Sequence, residues 1–147
     1  MNWLFKEEPE HYSFEALSRD GKTLWSGVKN PLAQKHLRAV RRGDRIFYYH
    51  TGREKAIVGI ARAVADPGSD PADPSGKRAA VEIEAVERLP RAVTLGEIKG
   101  MKMFAAFPLV RISRLSVMPV EDREWRAILR LSATPETGAR RKSPPAR

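Results

Sequence analysis

The sequence predicts an α+β domain built on a curled or barrel-like antiparallel sheet. Three observations lead there: five or six short β-prone runs, several short helical patterns with their own start signals, and no βαβ rhythm. A length of 147 residues suits one domain, because a chain of about 150 residues buries roughly two thirds of its unfolded surface in a single core.

The first element is Asn2 to Lys6, an aromatic and apolar run that reads as a strand buried on both faces and stops at Glu8-Pro9. Ser13 is placed to cap a short helix, Phe14 to Arg19, ended by Asp20-Gly21. Trp25 falls in a loop ahead of a clearer start signal, Asn30-Pro31, an N-cap followed by a proline at the first helical position. Leu32, Ala33, His36, Leu37 and Val40 then recur at helical spacing until Gly43-Asp44. Arg45 to His50 and Ala56 to Ala65 form a β-hairpin pattern, with Gly59 marking a bulge or a close backbone approach. Three Asp-Pro pairs make Asp66 to Gly76 a loop, and Arg78 to Leu89 alternates as a half-exposed strand. Thr94 to Glu97 has the capping-box pattern of a short helix ended by Gly100, and Met101 to Pro108 is apolar without a period. Arg114 to Val120 reads as the last strand, and Trp125, Ile128 and Leu129 give a terminal helix one packing face. From Ser132 onward the composition falls to Pro, Ala, Ser, Thr, Gly and Arg, so residues 132–147 are expected to be a disordered tail of charge +3.

Charge narrows the partners. Lys and Arg number 27 against 18 Asp and Glu, a net charge of +9, which favours polyanions. The excess is local: Ser26 to Lys55 alone carries +6. Lys29, Lys35, Arg38, Arg41 and Arg42 are the candidate phosphate contacts, since their spread over helix and loop suits tracking a backbone. With no cysteine there are no disulfides and no thiolate metal sites, which fits a reducing compartment such as the cytoplasm. The N-terminal apolar run is too short for a signal peptide or a membrane span.

Catalytic signatures are sparse. The sequence has no phosphate-cradling glycine loop, no nucleophile elbow and no His/carboxylate pair at metal spacing, so neither cofactor nor metal is expected. Lys6, Trp25 and Asn30 instead offer a cation, a stacking face and an amide that both donates and accepts, the set that single-base recognition requires. Two other readings remain open at this level: an enzyme with His50 as base and Arg38 or Arg111 as an electrophilic clamp, and a surface that binds any polyanion.

Five segments, in order, carry a resemblance: WLFKEEP from Trp3, WSGVKNPLAQKHLR from Trp25, GDRIFYYHTG from Gly43, IVGIA from Ile57 and LVRISRLSVMPV from Leu109. They resemble the EVE domain family over residues 1–131. The resemblance implies a PUA-like fold, a compact antiparallel β-barrel with short helices at its rim, related to the YTH domains that read methylated adenine in RNA. It implies binding of a modified nucleobase of DNA or RNA in a pocket at one barrel mouth. With the sparse catalytic signatures, a monomeric, non-catalytic module is the expectation. Carried over, the pocket takes Lys6, Trp25, Val28, Asn30 and His50, with Leu109 and Arg111 from the late Leu-Val-Arg segment. Glu7 joins them as a departure, standing where many members have serine, as Ser26 does where many have aspartate. An ionised Glu7 only accepts hydrogen bonds, which alters the donor pattern of the pocket.

Overall fold

In the computed structural model, which describes residues 1–134, the sheet is organised around the first strand. Trp3, Leu4 and Phe5 of β1 (Asn2–Glu7) are all buried. This strand lies between β3 (Arg45–His50), to which it is parallel, and β7 (Val117–Val120), to which it is antiparallel. Beyond β3 come β4 (Ala56–Ala63), the long β6 (Ala79–Thr94) and β2 (Lys22–Trp25), each antiparallel to its neighbour. The two-residue β5 (Gly68–Ser69) also pairs with β6.

Two expectations are corrected here. The sheet is not wholly antiparallel, and its order β2-β6-β4-β3-β1-β7 ends in two separate edges rather than closing into a barrel. The parallel pair arises because the chain between β1 and β3 is a long crossover of helices and one strand, the connection that parallel pairing needs. Local pattern reads hairpins well and such crossovers poorly. Pro119 sits on edge strand β7, where a missing N–H is tolerated.

Strand β6 outruns its expected end at Leu89 and passes through Pro90 to Thr94. The ladder with β4 slips at this point: Gly59 faces Arg88 and Ile57 faces Val93, so the proline falls in a stretch without β4 partners. Strand β7 begins only at Val117, three residues later than its pattern suggested.

The short helices begin where their caps stand. Ser13 Oγ accepts from Ala16 N at 3.0 Å, starting α2 (Phe14–Asp20) just after α1 (Pro9–Tyr12), a single turn without a capping side chain. Asn30 Oδ1 accepts from Ala33 N at 2.9 Å and starts α3 (Pro31–Ala39). Thr94 and Glu97 form the capping box of α4 (Leu95–Lys99). Caps of this kind contribute about 1 kcal/mol each. After a 3-10 turn and α5 (Pro108–Arg111), the chain ends its described course in α6 (Asp122–Ala133).

Helix α6 overruns the expected domain edge. Ser132 is buried with its Oγ on Leu129 O, and Arg91 donates to Leu131 O at 2.6 Å and to Thr134 O at 2.7 Å, a cation placed on the carbonyl end of the helix. Ser132 to Thr134, expected to open the tail, therefore pack with the folded body. Residues 135–147, the rest of the expected tail, lie outside the described residues. Among the described residues no helix is long and apolar enough to cross a membrane.

Trp3 and Trp125 are core residues, as their apolar settings suggested. Trp3 Nε1 donates to Asp44 Oδ2 at 2.9 Å, and Trp125 stacks on Phe47 with ring centroids 3.7 Å apart. Gly59 lies under the Phe14 ring, where a β-carbon would stand 2.5 Å from Phe14 Cζ. The glycine is thus required by a close approach as well as by the bulges on either side.

Candidate functional site

Trp25 is the last residue of β2 and not part of a loop. The run Lys-Thr-Leu-Trp is too short to show a period, and only its pairing with β6, Trp25 opposite Val81, makes it a strand. The chain then turns at Gly27, in the left-handed region at φ 76°, and reaches the N-cap of α3 three residues later.

Two buried side chains hold this turn. Asp70, 2% exposed, accepts from Gly27 N at 2.7 Å through one oxygen and from Ala72 N at 2.8 Å through the other. Gln34, 4% exposed, donates to Val28 O and Ala79 O and accepts from Ala79 N and Arg38 Nη1. That network fixes the orientation of the amide, since a flipped Gln34 would set its NH2 against the Ala79 N–H.

The turn, β2 and the end of β1 enclose a cleft of about 480 Å3, within the span of about 300–1,000 Å3 usual for small-molecule sites. Leu24, Trp25 and Val28 form its apolar wall, and Lys6, Glu7, His11 and Lys29 give it charge. Trp25 belongs to the core as much as to the cleft: it is 7% exposed and packs against Phe5 and Tyr48, with ring centroids 5.3 and 5.5 Å away. An open stacking face, as the sequence suggested, is not what it offers. Among the described residues its indole N–H has no acceptor, and no side-chain nitrogen without a partner is fully buried, so this donor keeps some exposure on a residue that lines the cleft.

Lys6 stands between this cleft and a smaller cavity of about 260 Å3. Its Nζ donates to Ser113 O at 2.8 Å and lies 5.7 Å from the Tyr49 ring centre, and burial lowers its pKa. Glu7 accepts from Glu8 N through one oxygen and pairs with His11 Nδ1 at 2.9 Å through the other. That hydrogen bond and the Glu7 charge raise the His11 pKa above its usual 6.5. Below the raised pKa the pair is neutral, and above it Glu7 brings one negative charge to a cleft mouth that Lys6 and Lys29 keep net positive.

Other candidates fall elsewhere. Asn30 spends its carbonyl oxygen on the cap and does not line the cleft. His50 is 3% exposed with both nitrogens engaged: Nε2 accepts from Phe14 N at 3.0 Å, so Nδ1 carries the proton toward Glu54 Oε1 at 2.7 Å. It ties α2 to β3 and lacks the free nitrogen that a base needs. Leu109 is buried and lines the smaller cavity, whereas Arg111 is exposed at the end of α5 and lines neither. Of the candidate phosphate contacts, Lys29 reaches the main cleft, Arg38 and Arg41 line a second cleft, and Lys35 and Arg42 lie exposed outside both. The bracing roles of Gln34 and Asp70 escaped sequence reading, because each rests on a partner more than forty residues away. Among the described residues no group of three His, Asp or Glu side chains could hold a metal ion.

A small α+β domain with an open sheet, an aromatic-walled cleft and lysines at its mouth is the class of molecule that fold and site define. The sequence model of the EVE domain matches residues 1–131, and the chain belongs to the EVE domain family. It is similar to human thymocyte nuclear protein 1, 29% identical over 88% of this chain and 73% of that protein. Among solved structures, Rpa0253 from Rhodopseudomonas palustris aligns with a TM-score of 0.86 at 40% identity, covering 93% of this chain and 96% of that one. A crystal structure of the human THYN1 protein in complex with 5-methylcytosine-containing DNA aligns with a TM-score of 0.85 at 27% identity, covering 92% and 99%.

Proposed function

We propose that this chain is a non-catalytic nucleic-acid-binding module that takes one base, preferentially a modified one, into the Trp25 cleft. The observation that carries this reading is Trp25, whose indole N–H has no protein acceptor among the described residues, on the wall of a cleft of about 480 Å3 with Lys6 and Lys29 at its mouth. An apolar wall with a few fixed polar groups suits a flat heteroaromatic ring, and cations at the mouth suit the charged strand it hangs from. The DNA complex of the human THYN1 protein, a relative of similar fold, supports the same class of partner and makes 5-methylcytosine the first modification to try. The engaged nitrogens of His50 weigh against the enzyme reading.

The test is a panel of otherwise identical oligonucleotides carrying a modified or an unmodified base at one position, in DNA and in RNA, titrated at one fixed salt concentration. The expected result is an affinity ratio of about tenfold or more between the best modified base and its parent, the size of one good polar discrimination, with no change in the oligonucleotide recovered. Equal affinity across the panel would reduce the protein to a general polyanion binder, and a consumed oligonucleotide would make it an enzyme.

A further inference from the structure

The loop Asp66 to Gly76, which looks like a mere connection in the sequence, is a built wall. Asp70 anchors it from within, and Asp73 accepts from the backbone N–H groups of Ser75, Lys77 and Arg78. The result is a second cleft of about 480 Å3 between this loop and the C-terminal turn of α3.

Four cations line the second cleft: Arg38 and Arg41 from the helix side, Lys77 and Arg78 from the loop side. One carboxylate, Asp66, stands among them and already accepts from Arg42 N at 2.9 Å. Among the described residues none of the four cations is in an ion pair. Two are held in place by other means. Arg38 Nη1 donates to Gln34 Oε1 at 3.1 Å, and Arg41 Nη1 donates to the Arg38 and Val40 carbonyls at 2.8 Å each. A guanidinium held at one edge keeps its other N–H groups for a tetrahedral oxyanion, and less side-chain freedom is lost on binding. The wall is also shared. Gln34 donates to Val28 O, beside the base cleft, and to Ala79 O, beside the cationic one, so one buried amide fixes the two sites relative to each other.

We infer that the cleft lined by Arg38, Arg41, Lys77 and Arg78 is a phosphodiester site that grips the backbone of the strand whose base enters the Trp25 cleft. The inference rests on the base-capture reading for its choice of strand, but not for the cleft itself. Backbone contacts hold register and carry no sequence information, so loss of this site weakens binding without altering the choice of base.

The test combines Lys77→Ala with Arg78→Ala in the full chain, because among the described residues both make their hydrogen bonds to the fold through backbone groups, which alanine keeps. Anisotropy titrations of a single-stranded oligonucleotide bearing 5-methylcytosine, and of its cytosine twin, are run over a range of salt. The double variant should melt as the parent does and should bind both oligonucleotides roughly tenfold more weakly at low salt. The slope of log affinity against log salt should become shallower by about 1.4, from about 0.7 per lost contact to a single strand. The affinity ratio between the two oligonucleotides should stay unchanged. Reversing both charges to Glu should deepen the loss. An unchanged slope overturns the phosphodiester site, whatever the ratio. A wild-type ratio of one together with a shallower slope in the variant sinks the base reading and leaves the second cleft standing, and a wild-type protein that binds neither oligonucleotide overturns both.

Discussion

Replacing Trp25 with alanine is expected to cost about 3–5 kcal/mol of stability and, in whatever fraction still folds, to remove base selectivity. The first effect follows from the packing: the ring fills the space between Phe5 and Tyr48 and is 7% exposed, so its loss opens a hole in the core. Because one substitution moves two quantities, it separates nothing by itself. Trp25→Phe does. It keeps an aromatic ring at a cost of about 1.5 kcal/mol or less, but deletes the indole N–H, which has no acceptor among the described residues. Chemical denaturation should therefore show a stable, cooperative Phe variant, while affinity for the captured base falls several-fold, in line with one hydrogen bond of about 1 kcal/mol. A Phe variant with full affinity would show that the indole N–H plays no part.

Gly59→Ala should destabilise the fold by about 1–3 kcal/mol. The added methyl would lie 2.5 Å from the tip of the Phe14 ring, and that ring has nowhere to go: it is fully buried, meets the Tyr48 ring at 5.5 Å, and its backbone N–H is bound to His50. Thermal melts of Gly59→Ala and of the double change with Phe14→Leu give the check. The smaller side chain should restore part of the loss caused by alanine at residue 59. An alanine variant as stable as the parent would mean that Phe14 shifts freely and that the glycine serves another purpose.

What the sequence made legible was local. Ser13, Asn30 and Thr94 announced their helices because a cap is a bond across three residues, and Gly59 announced a close approach because few other reasons put glycine in a strand. The cleft was legible in part, as Lys6, Glu7, Trp25 and Val28 of the expected pocket do line it, joined by Lys29 from the candidate phosphate contacts. What escaped notice depends on distant partners. Four residues became β2 only by pairing with β6, and β1 became parallel to β3 only through a crossover. Asp70 and Gln34 act on Gly27 and Ala79 from 43 and 45 residues away, and no spacing rule reports that. His50 shows the converse: its setting after an aromatic strand suggested a ligand contact, and its two hydrogen bonds inside the protein make it a brace.

The proposed capture of a modified base at Trp25 differs from the attraction of nucleic acid to a basic surface in what the indole signals report. The most direct measurement follows the three indole N–H resonances by NMR during titration with the 5-methylcytosine oligonucleotide and with its cytosine twin. With capture at Trp25, its signal should move along with the backbone amides of Ser26 to Lys29, and move further at equal concentration for the modified strand. The Trp3 signal, bonded to Asp44, should stay in place. A Trp25 resonance that stays still while amides around Arg38, Arg41, Lys77 and Arg78 shift, or one that responds equally to both strands, would contradict it.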